Sequence, residues 1–455
     1  MTATSGFARE IAMTERVEAA SLVGQVVSVQ GLALRVADLP APVGSLVHTC
    51  HSVRRLGEVV GFQGSETIVM LLDAPAGVRP GDRVATLPWG GLAPVGKAAL
   101  GRVLNGLAEP IDEKGPVDPE DYAPLRPAPA PPTQRRRIVE PLPTGVRVLD
   151  LFTTAGKGQR LGVFAGPGVG KSTLLGSIAR NTTADVNVIA LIGERGREVR
   201  DFLEASLGET GLARSVVVVA TSDESPLLRL RAALYACACA EFFRDEGADV
   251  MLMMDSITRL AQAQRQVGLT AGEPPATKGY PPSVFSMLPE VLERAGALEG
   301  KGSITGFYTV LVEGDDMTEP IADAARGVLD GHIVLSRDLA RKGRYPAVDT
   351  LDSISRVADD VCNEQQRQTR RTLLKLLAAQ REVEELVQIG AYARGSNPTA
   401  DVAMELAADL DALLLQEPAE QAIYDQSWAM AHAVAARAGE LLNQRRTVGA
   451  APHRS

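Results

Sequence analysis

The sequence predicts an α/β protein in which a small N-terminal β-barrel precedes a parallel-sheet core and an all-helical domain follows it. Short strand-like runs closed by Gly and Pro fill residues 22–87 and are typical of a small barrel. Near-continuous apolar runs alternate with helical segments over residues 138–356, which indicates strands buried on both faces. Residues 360–446 carry apolar side chains at helical spacing.

Composition and charge exclude several classes of protein. The 455 residues are 45% hydrophobic and carry a formal net charge of −9. This acidic balance, with only 4% aromatic residues, argues against a nucleic-acid partner, because such partners favour basic or aromatic surfaces. The four scattered cysteines have no zinc-site spacing and are interpreted as buried thiols in a reducing compartment. Without a bilayer-length apolar run or a secretory core, the expected location is cytoplasmic.

The N-terminal part divides into a short segment and the barrel. Residues 1–20 are weakly amphipathic, which predicts either a frayed terminus or a partner-binding helix. The barrel is expected to occupy residues 21–98, with strands near 23–29, 57–62 and 67–72. Because the barrel has few aromatics and no basic cluster, we expect a structural role for it.

The rest of the chain is expected to form a connector, the α/β domain and the helical domain. The connector spans residues 99–137, and its proline-dense run, 123–132, should be extended. The α/β domain is expected at 138–358, the helical domain at 359–447 and a tail at 448–455. Candidate strands of the α/β domain lie at residues 161–164, 186–192, 215–220, 250–254, 303–312 and 332–335.

A glycine-rich loop follows the first of these strands and precedes a helix. Glycines let backbone N–H groups turn toward phosphate oxygens, and the helix adds its positive N-terminal end. Lys171 can reach the β- and γ-phosphates, and the Ser172 hydroxyl can serve Mg²⁺. The first motif position is normally glycine but is Ala165 here. The expected nucleotide-binding positions are Gly166, Pro167, Gly168, Val169, Gly170, Lys171, Ser172 and Thr173.

Two acids follow other apolar runs of the α/β domain. Residues 250–254 end in Asp255, which is expected beside Ser172 because ligands gather at the carboxyl ends of parallel strands. Glu194 is the first acid after residues 186–192, so it can face a γ-phosphate and polarise water. The alternating charges after Glu194 are also compatible with a surface ion-pair cluster.

Five longer motifs share one resemblance. They lie at residues 166–175 (GPGVGKSTLL), 192–200 (IGERGREVR), 279–285 (GYPPSVF), 308–316 (YTVLVEGDD) and 329–337 (LDGHIVLSR). With them, the chain resembles the type III protein export ATPases, including the flagellum-specific export ATPase. These are related to the catalytic subunit of the rotary ATP synthases. The resemblance covers roughly residues 22–415 and implies a RecA-like P-loop ATPase core.

Details of the motifs indicate which branch of that family the chain resembles most. Gly196 stands where the rotary synthases usually carry threonine, which favours the export branch. Gly166 and residues 352–356 (DSISR) resemble the flagellar members more than the virulence-type members. A virulence-type secretion ATPase and a rotary ATP synthase head subunit remain alternatives. So do a ring-shaped nucleic-acid translocase and a noncatalytic nucleotide-binding module.

The resemblance implies ATP and Mg²⁺ as ligands and a role for each matching residue. Lys171 and the loop backbone would hold the phosphates. Ser172 and Asp255 would serve Mg²⁺, with Asp255 acting through water. Glu194 would polarise the attacking water, and Arg195 would help to hold the charge network.

Two further roles and the partners also follow from the resemblance. Tyr345 would stack on adenine, although an aromatic beside a proline can also be a structural anchor. Arg356 would be an arginine finger, although the residue alone could equally be a surface arginine. The implied assembly is a homohexameric ring at the membrane export gate. The N-terminal segment would bind a regulatory stator-like protein, and the helical domain would meet export substrates and chaperones.

Overall fold

The computed structural model describes residues 21–50, 54–87, 90–312 and 316–449. The N-terminal segment, 1–20, lies outside the described residues, so the partner-binding helix expected there stays a prediction. Within the described residues, no helix is both long and apolar enough to cross a bilayer. Cys237, Cys239 and Cys362 are buried as expected, but Cys50 is exposed, so the prediction of a buried thiol is wrong for that residue.

The first six strands close into the predicted barrel. Their spatial order is β1-β2-β5-β4-β3-β6, and all neighbouring pairs are antiparallel. Side chains alternate along β2, so Leu34 and Val36 point inward and are fully buried. The strands are Val23–Gln30 (β1), Ala33–Ala37 (β2), Leu46–Thr49 (β3), Leu56–Gln63 (β4), Glu66–Leu71 (β5) and Arg83–Thr86 (β6).

The expected connector contributes to the folded sheets. Leu92–Val95 (β7) pairs with Asp121–Pro124 (β9) in a two-stranded antiparallel sheet. Between them, Arg102–Asn105 (β8) forms the edge of the main sheet, parallel to the strand Ser215–Ala220. The sequence pattern did not predict β8, because four residues with two apolar side chains give too little periodicity to stand out.

The α/β core is built on one nine-stranded sheet. Its order is β17-β16-β10-β15-β13-β11-β12-β8, with β14 paired to β15. The pairs from β16 to β8 along this path are parallel, whereas β17 is antiparallel to β16. The strands are Arg160–Ala165 (β10), Val186–Ile192 (β11), Ser215–Ala220 (β12), Asp249–Asp255 (β13), Gly296–Ala297 (β14), Ser303–Leu311 (β15), Gly331–Leu335 (β16) and Val348–Ser355 (β17).

Helices cover both faces of this sheet, as near-continuous apolar strands require. The helices of this region are Arg147–Phe152 (α1), Lys171–Asn181 (α2), Gly196–Asp201 (α3), Gly208–Ala213 (α4), Pro226–Asp245 (α5), Ile257–Thr270 (α6), Pro282–Leu292 (α7), Pro320–Val328 (α8) and Arg337–Arg341 (α9). A π-helical turn, Phe202–Leu207, joins α3 to α4. The α5 helix packs in one apolar cluster and the α2 helix in the other, on opposite faces of the sheet.

The C-terminal helices pack onto the α2 side of the sheet. Leu373, Leu376 and Leu410 belong to the same apolar cluster as Leu161 and Val163 of β10. The helical region therefore shares an apolar core with the α/β domain. Its helices are Ala358–Val361 (α10), Glu364–Gln388 (α11), Pro398–Glu405 (α12), Ala407–Leu414 (α13) and Tyr424–Gly449 (α14).

Candidate nucleotide-binding site

The glycine-rich loop leads from β10 into α2, which begins at Lys171. Gly168 and Gly170 have φ angles of 77° and 88°, in the left-handed region that glycine adopts without strain. Among the described residues, no side chain caps the first turn of α2, so its N–H groups point into the loop. The loop and helix together can therefore hold phosphate oxygens.

Lys171 lies between two carboxylates at the carboxyl ends of neighbouring strands. Its Nζ forms an ion pair with Asp255 and lies 3.4 Å from Oε1 of Glu194. Burial lowers the pKa of Lys171, but Asp255 and Glu194 outweigh burial, so the pKa lies above its usual value. The Thr309 hydroxyl donates a 2.6 Å hydrogen bond to Asp255 Oδ1 and fixes that carboxylate. The sequence reasoning missed Thr309, which comes from the adjacent strand β15.

Glu194 lies just beyond the end of β11 and is largely buried. Burial raises the pKa of Glu194 to about 7; Lys171 opposes the rise, and Asp255 and a hydrogen bond with Glu198 add to it. The hydrogen bond from Glu194 and the nearby Arg195 hold the pKa of Glu198 below its usual value. A carboxylate that titrates near neutral pH suits general-base chemistry.

Arg195 points away from the loop and toward solvent. Its Nη1 donates a 2.7 Å hydrogen bond to Oε1 of Glu198, and its side chain is 75% exposed. In the described part of the chain, Arg195 connects to Glu194 through Glu198, a residue that the sequence reasoning did not single out. The repeated charges after β11 gave a signal for it, because they place Glu198 in the first turn of α3, four residues after Glu194.

The start of the loop has a close neighbour that the sequence did not reveal. The guanidinium of Arg337 lies against Gly166, and a Cβ at Gly166 would come within 2.5 Å of its Nη2. Arg337 begins α9, directly after β16, which pairs with β10. A side chain at position 166 would therefore force the flexible Arg337 guanidinium to shift.

A cavity of about 580 Å³ opens beside the loop. The Tyr345 ring lies next to Gly170, where an added Cβ would be 3.5 Å from its Cε1. Tyr345 is 44% exposed, so one face of the ring can accept a flat ligand. The cavity is lined by Val146, Gly170, Thr173, Leu174, Ser177, Gly343, Tyr345, Pro346, Leu415, Gln416, Glu417, Pro418 and Glu420. The residues from 415 onward were missed, because nothing in their local pattern indicates a ligand.

Arg356 lies at the opposite end of the sheet from the loop of its own chain. Ser355 pairs with Gly331 at the start of β16, and Arg356 N–H donates to the Asp330 carbonyl at 2.9 Å. The β16 strand runs parallel to β10, so about 13 Å of strand separates Arg356 from the loop end. Arg356 is exposed and does not join the site around Lys171.

A phosphate loop at a strand end, with a lysine between two carboxylates and an adjacent cavity for a base, defines a P-loop nucleotide-binding ATPase core. The nucleotide-binding domain of the ATP synthase alpha/beta family matches residues 145–355. The T3SS EscN ATPase C-terminal domain matches residues 362–432.

Comparison with individual relatives assigns the chain to one family of P-loop ATPases. The flagellum-specific ATP synthase of Pseudomonas aeruginosa is 50% identical over 387 residues, which cover 84% of this chain and 86% of the relative. The type 3 secretion system ATPase of Xanthomonas euvesicatoria is 50% identical over 407 residues, which cover 88% and 90%. The chain belongs to the family of flagellar and type III secretion ATPases.

Solved structures agree with this assignment. The assembled ATPase EscN from the type III secretion system of enteropathogenic E. coli has a TM-score of 0.86 and 40% identity, covering 90% of this chain and 100% of that chain. The same protein in complex with its central stalk EscO has a TM-score of 0.84. The predicted resemblance and the three-part fold are both confirmed.

Proposed function

We propose that this chain hydrolyses Mg-ATP to energise type III protein export in the flagellar branch, where it engages, releases or unfolds export substrates and chaperones. The observation that carries the proposal is Lys171 placed between Glu194 and Asp255 at the mouth of the phosphate loop. The lysine supplies positive charge for the phosphates, and Glu194 supplies a base beside them.

The residues around the loop have different roles in ATP hydrolysis. The N–H groups of the loop and of the first turn of α2 bind the β- and γ-phosphates, and Lys171 neutralises their charge. Entering phosphates compete with Glu194 for Lys171, which leaves the Glu194 carboxylate free to orient and polarise the attacking water. With a pKa of about 7, Glu194 is a better proton acceptor than an ordinary glutamate.

We infer the metal partner from the oxygen donors beside the phosphate loop. Among the described residues, no three His, Cys, Asp or Glu side chains form a cluster that could hold a metal ion. Mg²⁺ is commonly bound by one or two protein oxygens together with phosphates and water, and Ser172 and Asp255 suit that mode. Bound there, Mg²⁺ would neutralise charge on the phosphates. Asp255 is pre-oriented for this role by Thr309.

The proposed working form is a homohexameric ring. Arg356 is exposed at the end of β17, away from its own site, so it can serve a neighbouring subunit as an arginine finger. The assembled state of EscN supports this proposal. The complex of EscN with its central stalk EscO supports a stalk-like partner for this chain as well.

The remaining partners rest on family likeness. We propose that the N-terminal segment binds a regulatory stator-like protein and that the C-terminal helices meet export substrates and chaperones. The ring would work in the cytoplasm at the inner face of the membrane export gate. Relatives from the flagellar and the virulence-type systems match equally well at 50% identity, so the flagellar assignment rests on Gly166 and residues 352–356.

Complementation tests the proposal directly. A flagellated strain lacking its own export ATPase receives the parent chain, Glu194→Gln, or the exposed-site control Glu204→Gln, which lies outside the C-terminal helices. Secretion of flagellar subunits into the medium is measured, together with phosphate release by each purified protein. We expect the parent and Glu204→Gln to support both activities and Glu194→Gln to support neither. A parent that releases phosphate but restores no secretion would refute the flagellar role and leave the ATPase role standing.

A further inference from the structure

We call the cavity beside Tyr345 the base cavity. Its outer wall comes from the segment of the helical domain that joins α13 to α14, and we call residues 415–420 of this segment the clasp. Five of its residues line the cavity, namely Leu415, Gln416, Glu417, Pro418 and Glu420. The clasp is distant in sequence from the phosphate loop, so its position depends on specific tertiary contacts.

Gln416 makes three hydrogen bonds that connect the clasp to other segments, and one within the clasp. Its backbone N–H donates to the Tyr345 carbonyl at 3.1 Å, and its Oε1 accepts from the Arg147 backbone N–H at 2.8 Å. Its Nε2 donates to the carbonyls of Gly145 at 2.9 Å and of Glu420 at 2.8 Å. The residue is only 9% exposed, so these bonds are shielded from water.

A second set of contacts ties the clasp to the helix that follows the phosphate loop. Ser177 Oγ and Arg180 Nη2 both donate to the carbonyl of Pro418, at 3.2 and 2.7 Å. Because Ser177 and Arg180 belong to α2, the clasp is held against the same helix that begins at Lys171. The wall of the base cavity and the phosphate loop therefore form one connected structure.

We propose that Gln416 is the positioning residue of the base cavity, an inference that rests on the proposed ATP-binding function. Gln416 joins the clasp to two other segments, those around Gly145 and Tyr345. Both amide hydrogens and the carbonyl oxygen of its side chain are engaged within the protein. The side chain of Gln416 therefore acts by holding the clasp against residues 145–147, while its backbone N–H holds the clasp to Tyr345. The side-chain amide is already engaged and does not bind the edge of the base.

The test separates the base cavity from the phosphate loop. Gln416→Glu keeps the shape but replaces two donors by an oxygen that faces the carbonyls of Gly145 and Glu420. Gln416→Met loses these donors and the acceptor for the Arg147 N–H without adding a charge, and so provides an independent variant. Dissociation constants are measured for ATP and for inorganic tripolyphosphate, which has no base, together with KM and kcat for ATP. The exposed Gln388, on α11, gives the matched control Gln388→Glu.

We expect both Gln416 variants to raise the Kd and KM for ATP about ten- to a hundredfold, because buried hydrogen bonds are lost. The kcat value and the Kd for tripolyphosphate should stay near those of the parent, and Gln388→Glu should match the parent throughout. A variant that binds ATP as tightly as the parent would overturn the positioning role. So would a variant whose affinity for tripolyphosphate falls by the same factor as its affinity for ATP. A parent chain that binds no ATP would instead overturn the proposed function itself.

Discussion

Replacing Glu194 by glutamine is the sharpest test of the catalytic assignment. The amide keeps the size of the side chain but cannot accept a proton from the attacking water. Nucleotide binding should change little, because the phosphate contacts come from Lys171 and the N–H groups of the loop, which the substitution leaves in place. Any loss of rate should therefore appear in kcat rather than in the affinity for ATP.

The expected magnitude follows from the role. A positioned general base contributes about a hundred- to ten-thousand-fold to the rate, so Glu194→Gln should lower kcat by that factor. Phosphate release under saturating Mg-ATP measures kcat, and titration calorimetry measures the Kd of the nucleotide. A suitable control is Glu204→Gln, because Glu204 is 65% exposed and pairs with Arg200 on the surface. If Glu194→Gln turned over ATP at the parent rate, the assignment of the base would be wrong.

Four further predictions address the remaining parts of the site. Lys171→Ala should weaken ATP binding as well as turnover, because it removes a phosphate contact, and an unchanged Kd by calorimetry would contradict that role. The value of kcat/KM should rise with pH through about 7 and then level off, because deprotonated Glu194 is the active form. Glu194→Gln should lose this inflection. A parent profile of kcat/KM that is flat from pH 6 to 8 would argue against Glu194 as the base. Mixed Glu194→Gln and Arg356→Ala subunits should regain part of the activity in a phosphate-release assay, since one junction then carries both intact residues; no recovery despite proven co-assembly would exclude an in-trans finger. Deletion of residues 1–20 should leave the melting temperature nearly unchanged and reduce binding to the stator-like partner, whereas a large drop in melting temperature would show that the segment supports the fold.

Much of the site could be predicted from the sequence, because its chemistry is carried by short contiguous segments. The phosphate loop is a single run between a strand and a helix, and its glycines with Lys171 identify it locally. Glu194 and Asp255 each follow an apolar strand, and parallel strands bring their carboxyl ends to the same edge of the sheet. The positions of these side chains around Lys171 thus follow from local pattern and a general rule of α/β topology.

Other features were decided by the tertiary structure alone. Thr309 of β15 orients Asp255 of the neighbouring strand β13, and the Gln416 backbone N–H bonds to Tyr345 from the helical region. Neither contact has a local sequence pattern. Burial, which raises the pKa of Glu194, also depends on the packed surroundings of the side chain. The edge strand β8 and the core shared by the C-terminal helices depend on which surfaces meet. The sequence by itself determined the phosphate-binding chemistry, because consecutive residues supply it; the base cavity and its clasp were decided only by long-range packing.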